Sequence, residues 1–408
     1  MNSKYQIIYF FYFLFNLHKE YSDNIIIIVM SSILNLTEDE INNFYDEVMN
    51  VKNNIVSTVT SQQKINHLER LILYSNILLG IAVLTIWKPF NIFSILSLGL
   101  YTMARWTIIG HHVCHGGYDN CNIKKYNKNV FGLGSLYHKF MDWFDWFSIK
   151  AWKFEHNKFH HYYLNETKDP DLVEDIFKKI NNSPTKLLLN IFMWRWSYYA
   201  SNTYAHFYND KNNYKYNIKT YSIINIFTLR KDIYINFLKS IIPYFSFMFI
   251  IVPLIYGIVF NSFYVSITVL TNILLAELYT NVHTFMIIVT NHAGSDLYKF
   301  NKTIYESIKT NRNKKIEFLL RAIYGSVNYT YGNELCDFLH GYLNYQIEHH
   351  MFHDLSALEY KLLAPHIKSI CNKYKIQYIQ ESVFVRFIKT VKIALNYEKM
   401  KSVDKLLD

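Results

Sequence analysis

Three short stretches of this chain concentrate histidine in patterns that could hold metal. They read Gly110-His111-His112-Val113-Cys114-His115, His156-Asn157-Lys158-Phe159-His160-His161 and Gln346-Ile347-Glu348-His349-His350. On a helix, residues three and four apart share a face. His111 with His115, and His156 with His160, can therefore aim their imidazoles at one point, and His161 adds a neighbouring ligand. Imidazole suits iron, copper, zinc and nickel. The three stretches offer more nitrogens than one tetrahedral zinc needs. Two metal ions are the economical reading, and oxygen activation at an apolar site points to iron. The candidate ligands and catalytic residues from these stretches are His111, His115, His156, His160, His161, His349 and His350. Gln346 either coordinates weakly or holds a metal-bound water.

Other residues are weighed singly. His292, in Thr290-Asn291-His292-Ala293-Gly294, is read as a further metal ligand and catalytic residue. His340, six residues before Gln346, is either a ligand or a support behind one. His112 points elsewhere on a helix and reads as support. His283 reads as packed or cavity-lining; His138, His206, His353 and His366 read as structural. Cys114 reads as a small buried residue. A metal-bound imidazole usually donates its other N–H to a carboxylate or carbonyl. Glu155 is an acid near the second stretch, and Asp169-Pro170-Asp171 either supplies such support or forms a Pro-containing turn with solvated acids.

These residues need elements to carry them. The chain has 408 residues, a formal charge of +10, and only 12 Gly and 6 Pro. Turn-rich β architecture is therefore unfavoured. The positive charge follows a general bias toward Asn, Lys, Ile and Tyr, and no nucleic-acid-binding motif accompanies it. The 4 cysteines form no CxxC pair, which excludes a zinc ribbon or a dithiol motif. Four apolar blocks are long enough to cross a bilayer: Leu71 to about Ile86, Asn91 to Gly110, about Ile241 to Phe260, and Phe263 to about Thr290. Short loops join the first to the second and the third to the fourth, which describes two membrane hairpins. Lys and Arg gather in 111–240 and 293–408, so both hairpins dip in from the cytosol and the histidine stretches lie on its side. The fourth block carries Glu277, Asn281 and His283 at membrane depth, where polar groups face a bundle interior or cavity. The stretches 130–147 and 187–200 suit helices lying in the interface.

The expected architecture is all-α and integral to the lipid bilayer: four transmembrane helices in two hairpins with a cytosolic helical cap carrying a di-iron site. Residues 1–69 form an N-terminal segment, 70–380 the main domain and 381–408 a C-terminal tail. From Met30 onward the sequence reads as an ordinary amphipathic N-terminus, with Thr37 as a cap and Glu40 three residues on. Met30 is the favoured start, leaving 1–29 untranslated.

The three stretches resemble the histidine boxes of the membrane fatty acid desaturase family, whose pattern is H-x(3–4)-H, H-x(2–3)-H-H and [HQ]-x-x-H-H. The third, Leu343 to Phe352, is similar to the front-end branch, in which Gln replaces the first histidine. Tyr360, Ala364-Pro365, Cys371 and Lys373-Tyr374 resemble the family's tail. Asn291-His292 and Asp169-Pro170-Asp171 fit as well. The resemblance implies two iron ions, dioxygen as co-substrate, and removal of two hydrogens from a methylene pair of a fatty acyl substrate linked to CoA or lipid. It also implies an external electron donor. The segment before residue 70 holds no HPGG haem motif, so a separate cytochrome b5 or ferredoxin is expected. In a eukaryote the endoplasmic reticulum membrane is the expected location. The first box departs from the common HD-x-x-H form, which bears on regiochemistry and acyl carrier. A related di-iron lipid hydroxylase, an acetylenase or a sphingolipid long-chain-base desaturase would share this centre. A membrane metal transporter would put its ligands near mid-membrane, whereas these lie at helix ends.

Overall fold

The structure, a computed structural model, describes residues 34–146, 148–196 and 231–407. The readings made for 1–29, Met30, His206 and the ends of the two interfacial stretches at 147 and 197–200 lie outside these residues.

Helix α1 (Glu38–Thr58) starts at the expected cap: Thr37 and Glu40 form a reciprocal capping box. Helix α2 (Ser61–Thr85) is capped in the same way by Thr60 and Gln63. It begins well before Leu71, where apolar character alone places the first span. Two polar residues of its extra turns, Lys64 and His67, are buried because they have partners. Lys64 pairs with Glu359 at 2.6 Å, and His67 Nε2 lies 3.1 Å from the Tyr342 hydroxyl. Residue 70 lies inside this helix.

Helix α3 (Ile92–His115) returns through a π turn at Ala104–Gly110 that delivers His111. Next come the short helices α4 (Leu136–Met141), α5 (Ile149–Glu155), α6 (Val173–Phe177) and α7 (Pro184–Phe192). Leu136, Tyr137, Phe140 and Met141 all face outward on α4, as an interfacial helix requires. The third span combines the end of α8 (Lys231–Ser246), a π turn at Phe247–Ile251 and α9 (Val252–Val259). The fourth is α10 (Phe263–Ile288), which ends in a 3-10 turn at Val289–His292.

Among the described residues, four helices are long and apolar enough to cross a membrane. They divide into an inner and an outer pair. The α3 and α10 spans are 61% and 56% buried by protein, against 22% for α2 and 11% for Ile241–Val259. The inner pair carries His111, His115 and His292. Gly99 makes their close approach possible, since a Cβ there would sit 2.4 Å from the Tyr279 ring. The hairpin tips meet where Trp87 stacks on Phe260. Asn272 stitches the first tip to α10 by donating to the carbonyls of Ile86 and Lys88.

The remaining chain caps the other end of the bundle. It contains β1 (Tyr298–Phe300), α11 (Asn311–Gly325), β2 (Asn328–Tyr329), α12 (Gln346–Met351), α13 (Ala357–Lys373), β3 (Gln380–Glu381), α14 (Val383–Ala394) and β4 (Lys401–Val403). The strands form two parallel pairs, β1 with β4 and β2 with β3. The segment beyond 380 is more than a tail. Arg386 of α14 is fully buried, pairs with Asp296 at 2.7 Å and donates to the carbonyls of Ala293 and Thr290. It thereby fixes the chain on both sides of His292.

Candidate metal centre

The three stretches converge. His111, His115, His156, His161 and His349 form one buried group, with one ring nitrogen from each within 4.8 Å of every other. His160, His292 and His350 form a second buried group on the same criterion. The groups touch: the His161 and His350 rings stack with centroids 4.4 Å apart. Two adjacent pairs are divided between them. His161 and His349 serve the first group, His160 and His350 the second. Consecutive helical residues point about 100° apart, so a His-His pair can serve two centres where spaced residues serve one.

Local backbone explains the second stretch. His156–His160 is a π turn, not an α turn. Its wider winding keeps the backbone N–H of His161 bonded to the carbonyl of His156 and brings the His156 and His161 Nε2 atoms within 3.2 Å. Such turns are frequent at functional sites. The third stretch is held by Glu348, which accepts from Asn328 Nδ2 and from the Tyr378 hydroxyl, each at 2.8 Å. Burial pushes the Glu348 carboxyl up to about 7.

The nitrogens are spaced for a metal. His111 Nε2 and His156 Nε2 are 2.9 Å apart. Two ligands at right angles with metal–nitrogen bonds of about 2.1 Å would be about 3.0 Å apart. Hydrogen bonding alone leaves the group unsatisfied: both ring nitrogens of His115 and Nε2 of His349 are buried without a hydrogen-bond partner. Outside the membrane spans, His156, His161, His349 and His350 are held well below the ordinary imidazole range, first by burial and then by neighbouring imidazoles. Neutral rings are what a cation requires of its ligands. His160 behaves differently. Burial lowers its pKa, but Asp169 and Asp171 outweigh burial and the pKa is raised. Its Nδ1 lies 3.0 Å from Asp169 Oδ1, leaving Nε2 for a metal.

Comparison with known proteins agrees with this geometry. The model of the fatty acid desaturase family matches residues 86–382. The chain belongs to this family.

The family member is 24% identical over 303 residues to an NADPH-dependent stearoyl-CoA 9-desaturase of Mycobacterium tuberculosis, a match covering 72% of this chain and 64% of the relative. It is 25% identical over 293 residues to a probable Delta(5) fatty acid desaturase C of Dictyostelium discoideum, covering 68% of this chain and 57% of that one. The chain thus spans somewhat under two thirds of the length of these curated relatives. No solved structure matches it.

In this desaturase-family chain, all eight histidines read as ligands fall in one of the two groups. Gln346 completes the second: its amide nitrogen lies 3.0 Å from His292 Nε2 and 3.1 Å from His350 Nε2. Turning the amide over would present its oxygen instead. Asp169 is both turn and support, since it also accepts from the backbone N–H groups of Asn165 and Asp171. Asp171 is 3.8 Å from His160 Nδ1 and forms a further possible metal group with His156 and His160. His112 stands beside the first group, its ring 6.0 Å from that of His349, with Nδ1 turned to the Ile108 carbonyl. His340 joins neither group; Asn344 Nδ2 and Cys336 Sγ are its neighbours. His283 packs by bonding to the Leu339 carbonyl. Glu155 is wholly buried beside His156, and neither carboxyl oxygen has a hydrogen-bond partner.

Several residues read from the sequence without a role at the centre lie against it. The hydroxyl of Tyr360 lies 3.3 Å from His349 Nδ1. Trp152 stacks on His156 with centroids 4.7 Å apart; it precedes that histidine by four residues, a spacing that could have flagged it. His353, read as structural, has its ring within 6.0 Å of His115 and His161. A pocket adjoins both groups, touching His111 and His156 of the first and His160, His292 and Gln346 of the second. Trp106, Trp152, Trp194, Val173, Ile176, Ile288, Val289 and Leu343 make its remaining wall largely apolar. These come from widely separated parts of the chain, so no sequence window could have gathered them.

Proposed function

We propose that this chain is an oxygen-dependent fatty acyl desaturase of front-end type, inserting a cis double bond at a di-iron centre. The observation that carries the reading is the apolar cavity bordered by both histidine groups, because it brings a hydrocarbon against a two-metal site. Irons held by His111, His115, His156, His161 and His349, and by His160, His292 and His350, would supply the oxygen activation and one-electron chemistry needed to cleave unactivated C–H bonds.

The chain's own residues do the rest. Trp106, Trp194, Val173 and Ile176 hold an acyl chain by burial of its methylenes. The rigid indole walls fix which methylene pair lies beside His156 and His160. The apolar lining keeps water from a reactive site. Asp169 holds the His160 Nδ1 proton and so orients Nε2 toward the centre. Gln346 supplies an amide to the second group and leaves it fewer strong ligands than the first.

The names of the relatives support an acyl-CoA or lipid-linked acyl substrate, and the Gln-type third stretch supports front-end placement. The cation-rich segments beside the histidine groups support a cytosolic face, on an endoplasmic reticulum membrane in a eukaryote, where a cytochrome b5 or a ferredoxin would deliver electrons.

The test is expression in a host that makes no polyunsaturated lipids, feeding of candidate acids, and gas chromatography with mass spectrometry. A product lighter by two hydrogens, absent from His349→Ala, is expected. A product that has gained oxygen instead would make the chain a hydroxylase, and full activity in His349→Ala would remove the proposal.

A further inference from the structure

The first histidine group is sealed. All five of its rings are buried. On the side of the apolar cavity, the wall around His111 and His156 is largely hydrocarbon and indole. A hydrated divalent ion crossing such a wall would lose its water with nothing to replace it. A buried metal site therefore needs a polar way in as well as a set of ligands.

His353 stands where that way would open. It lies in the turn between α12 and α13, where the Leu355 N–H donates to the Phe352 carbonyl at 3.3 Å. It is exposed, yet its ring centroid is 5.9 Å from that of His115 and 6.0 Å from that of His161. Rings inside the group are closer: 4.3 Å for His115 with His161, and 4.8 Å for His115 with His349. His353 is not among the five whose nitrogens lie within 4.8 Å of one another. It is thus an outer neighbour of the group, not a sixth member. Among the described residues, the other aromatic rings packed on the group's histidines are those of His112, Trp152 and Tyr360, and all three are buried. The two rings that His353 approaches have nitrogens to spare. Neither nitrogen of His115 has a hydrogen-bond partner, nor has Nδ1 of His161. The exposed Asp354 sets a carboxylate beside His353, and Lys128, the cation near it, is paired with Asp119 at 3.2 Å.

We propose that His353 is the entry ligand of the first group: it takes a ferrous ion from solvent and hands it inward to His115 and His161. The inference rests on the metal-centre reading and adds a residue to the loading of that site, not to its chemistry. The exchange is stepwise. Each water that the ion sheds is replaced by an imidazole nitrogen, first from His353 and then from the buried rings, and His353 lets go last. The iron stays ferrous throughout, and only coordination bonds are made and broken. Such a stepping ligand spares the ion a naked passage between water and the sealed group. It lowers one barrier seen from both sides, so it speeds entry and exit alike and leaves the equilibrium affinity where it was.

The test uses the full chain in detergent, without oxygen. Two rates are followed: release of iron from the loaded protein to a chromophoric ferrous chelator, and uptake of ferrous ions by protein stripped with that chelator. His353→Ala should slow both rates about ten-fold while the dissociation constant for iron stays within about two-fold of wild type. His366→Ala, which removes an exposed histidine of α13 that belongs to neither group, should leave both rates at the wild-type value. Unchanged rates in His353→Ala would overturn the proposal. So would equal slowing in His366→Ala, which would reduce the effect to any surface imidazole. Faster release with weakened affinity in His353→Ala would also overturn it, by making His353 a resident ligand. Wild-type chain that binds no iron would fail the metal-centre reading itself, an outcome seen before any variant is compared.

Discussion

The two histidine groups draw on the same adjacent pairs yet are closed in different ways. The first is complete in imidazole: five buried rings, with no carboxylate in the set. The second has three rings, one of them held by Asp169, and an amide from Gln346. Saturated nitrogen sites retain metal, whereas sites short of strong ligands keep a position open for a reacting group. On the proposed di-iron reading, the first group would anchor its ion and the second would admit a reacting group.

The most severe test sets neighbours against each other. His349→Ala and His350→Ala remove consecutive residues, one from each group. Both should abolish product. His350→Ala should keep roughly one metal ion per chain, and His349→Ala less, because the first group is the tighter holder. Equal metal loss by elemental analysis would break the distinction.

A smaller effect is expected at Gln346. Gln346→Ala should weaken metal at the second group alone, by about ten-fold, while Gln346→His should restore or tighten it by adding a fourth imidazole. Tighter metal with slower turnover in Gln346→His would sharpen the comparison, since an open position would then have been filled. Asp169→Asn belongs beside it. Loss of a carboxylate behind a ligating histidine typically costs about 10- to 100-fold in metal affinity or activity. Here the loss should fall on the ion of the second group, read by competition with a chelator.

The contrast between these groups was only partly legible in the sequence. All eight histidines of the two groups could be picked out because helical spacing and the ends of apolar blocks are local signals. Their partition into five and three could not, because it depends on the π turn at 156–160 and on the docking of α12 against β2 through Glu348 and Asn328. Four apolar blocks announced four spans, but not that α2 begins at Ser61. Lys64 and His67 look like surface residues until Glu359 and Tyr342, nearly three hundred residues away, supply their partners. The segment after 380 read only as a tail for the same reason: the fully buried Arg386 has meaning only against Asp296 and the carbonyls flanking His292.

The gentlest way to separate the two groups is pH. A ligand's metal and proton compete for the same lone pair, so a ring with a raised pKa surrenders metal at higher pH than one with a lowered pKa. His160 is raised, because Asp169 and Asp171 outweigh its burial, while His156, His161 and His349 of the first group are lowered by burial and by one another. As pH falls, His160 should therefore be the first of these rings to take up a proton. The second group should lose its ion while the first still holds. Once the solution is below the pKa of His160, each further unit should cost the second group about ten-fold in apparent affinity for one displaced proton. Metal release followed against pH should show two steps, the earlier one absent from His350→Ala. Release in a single step would mean that the two groups bind as one cooperative unit.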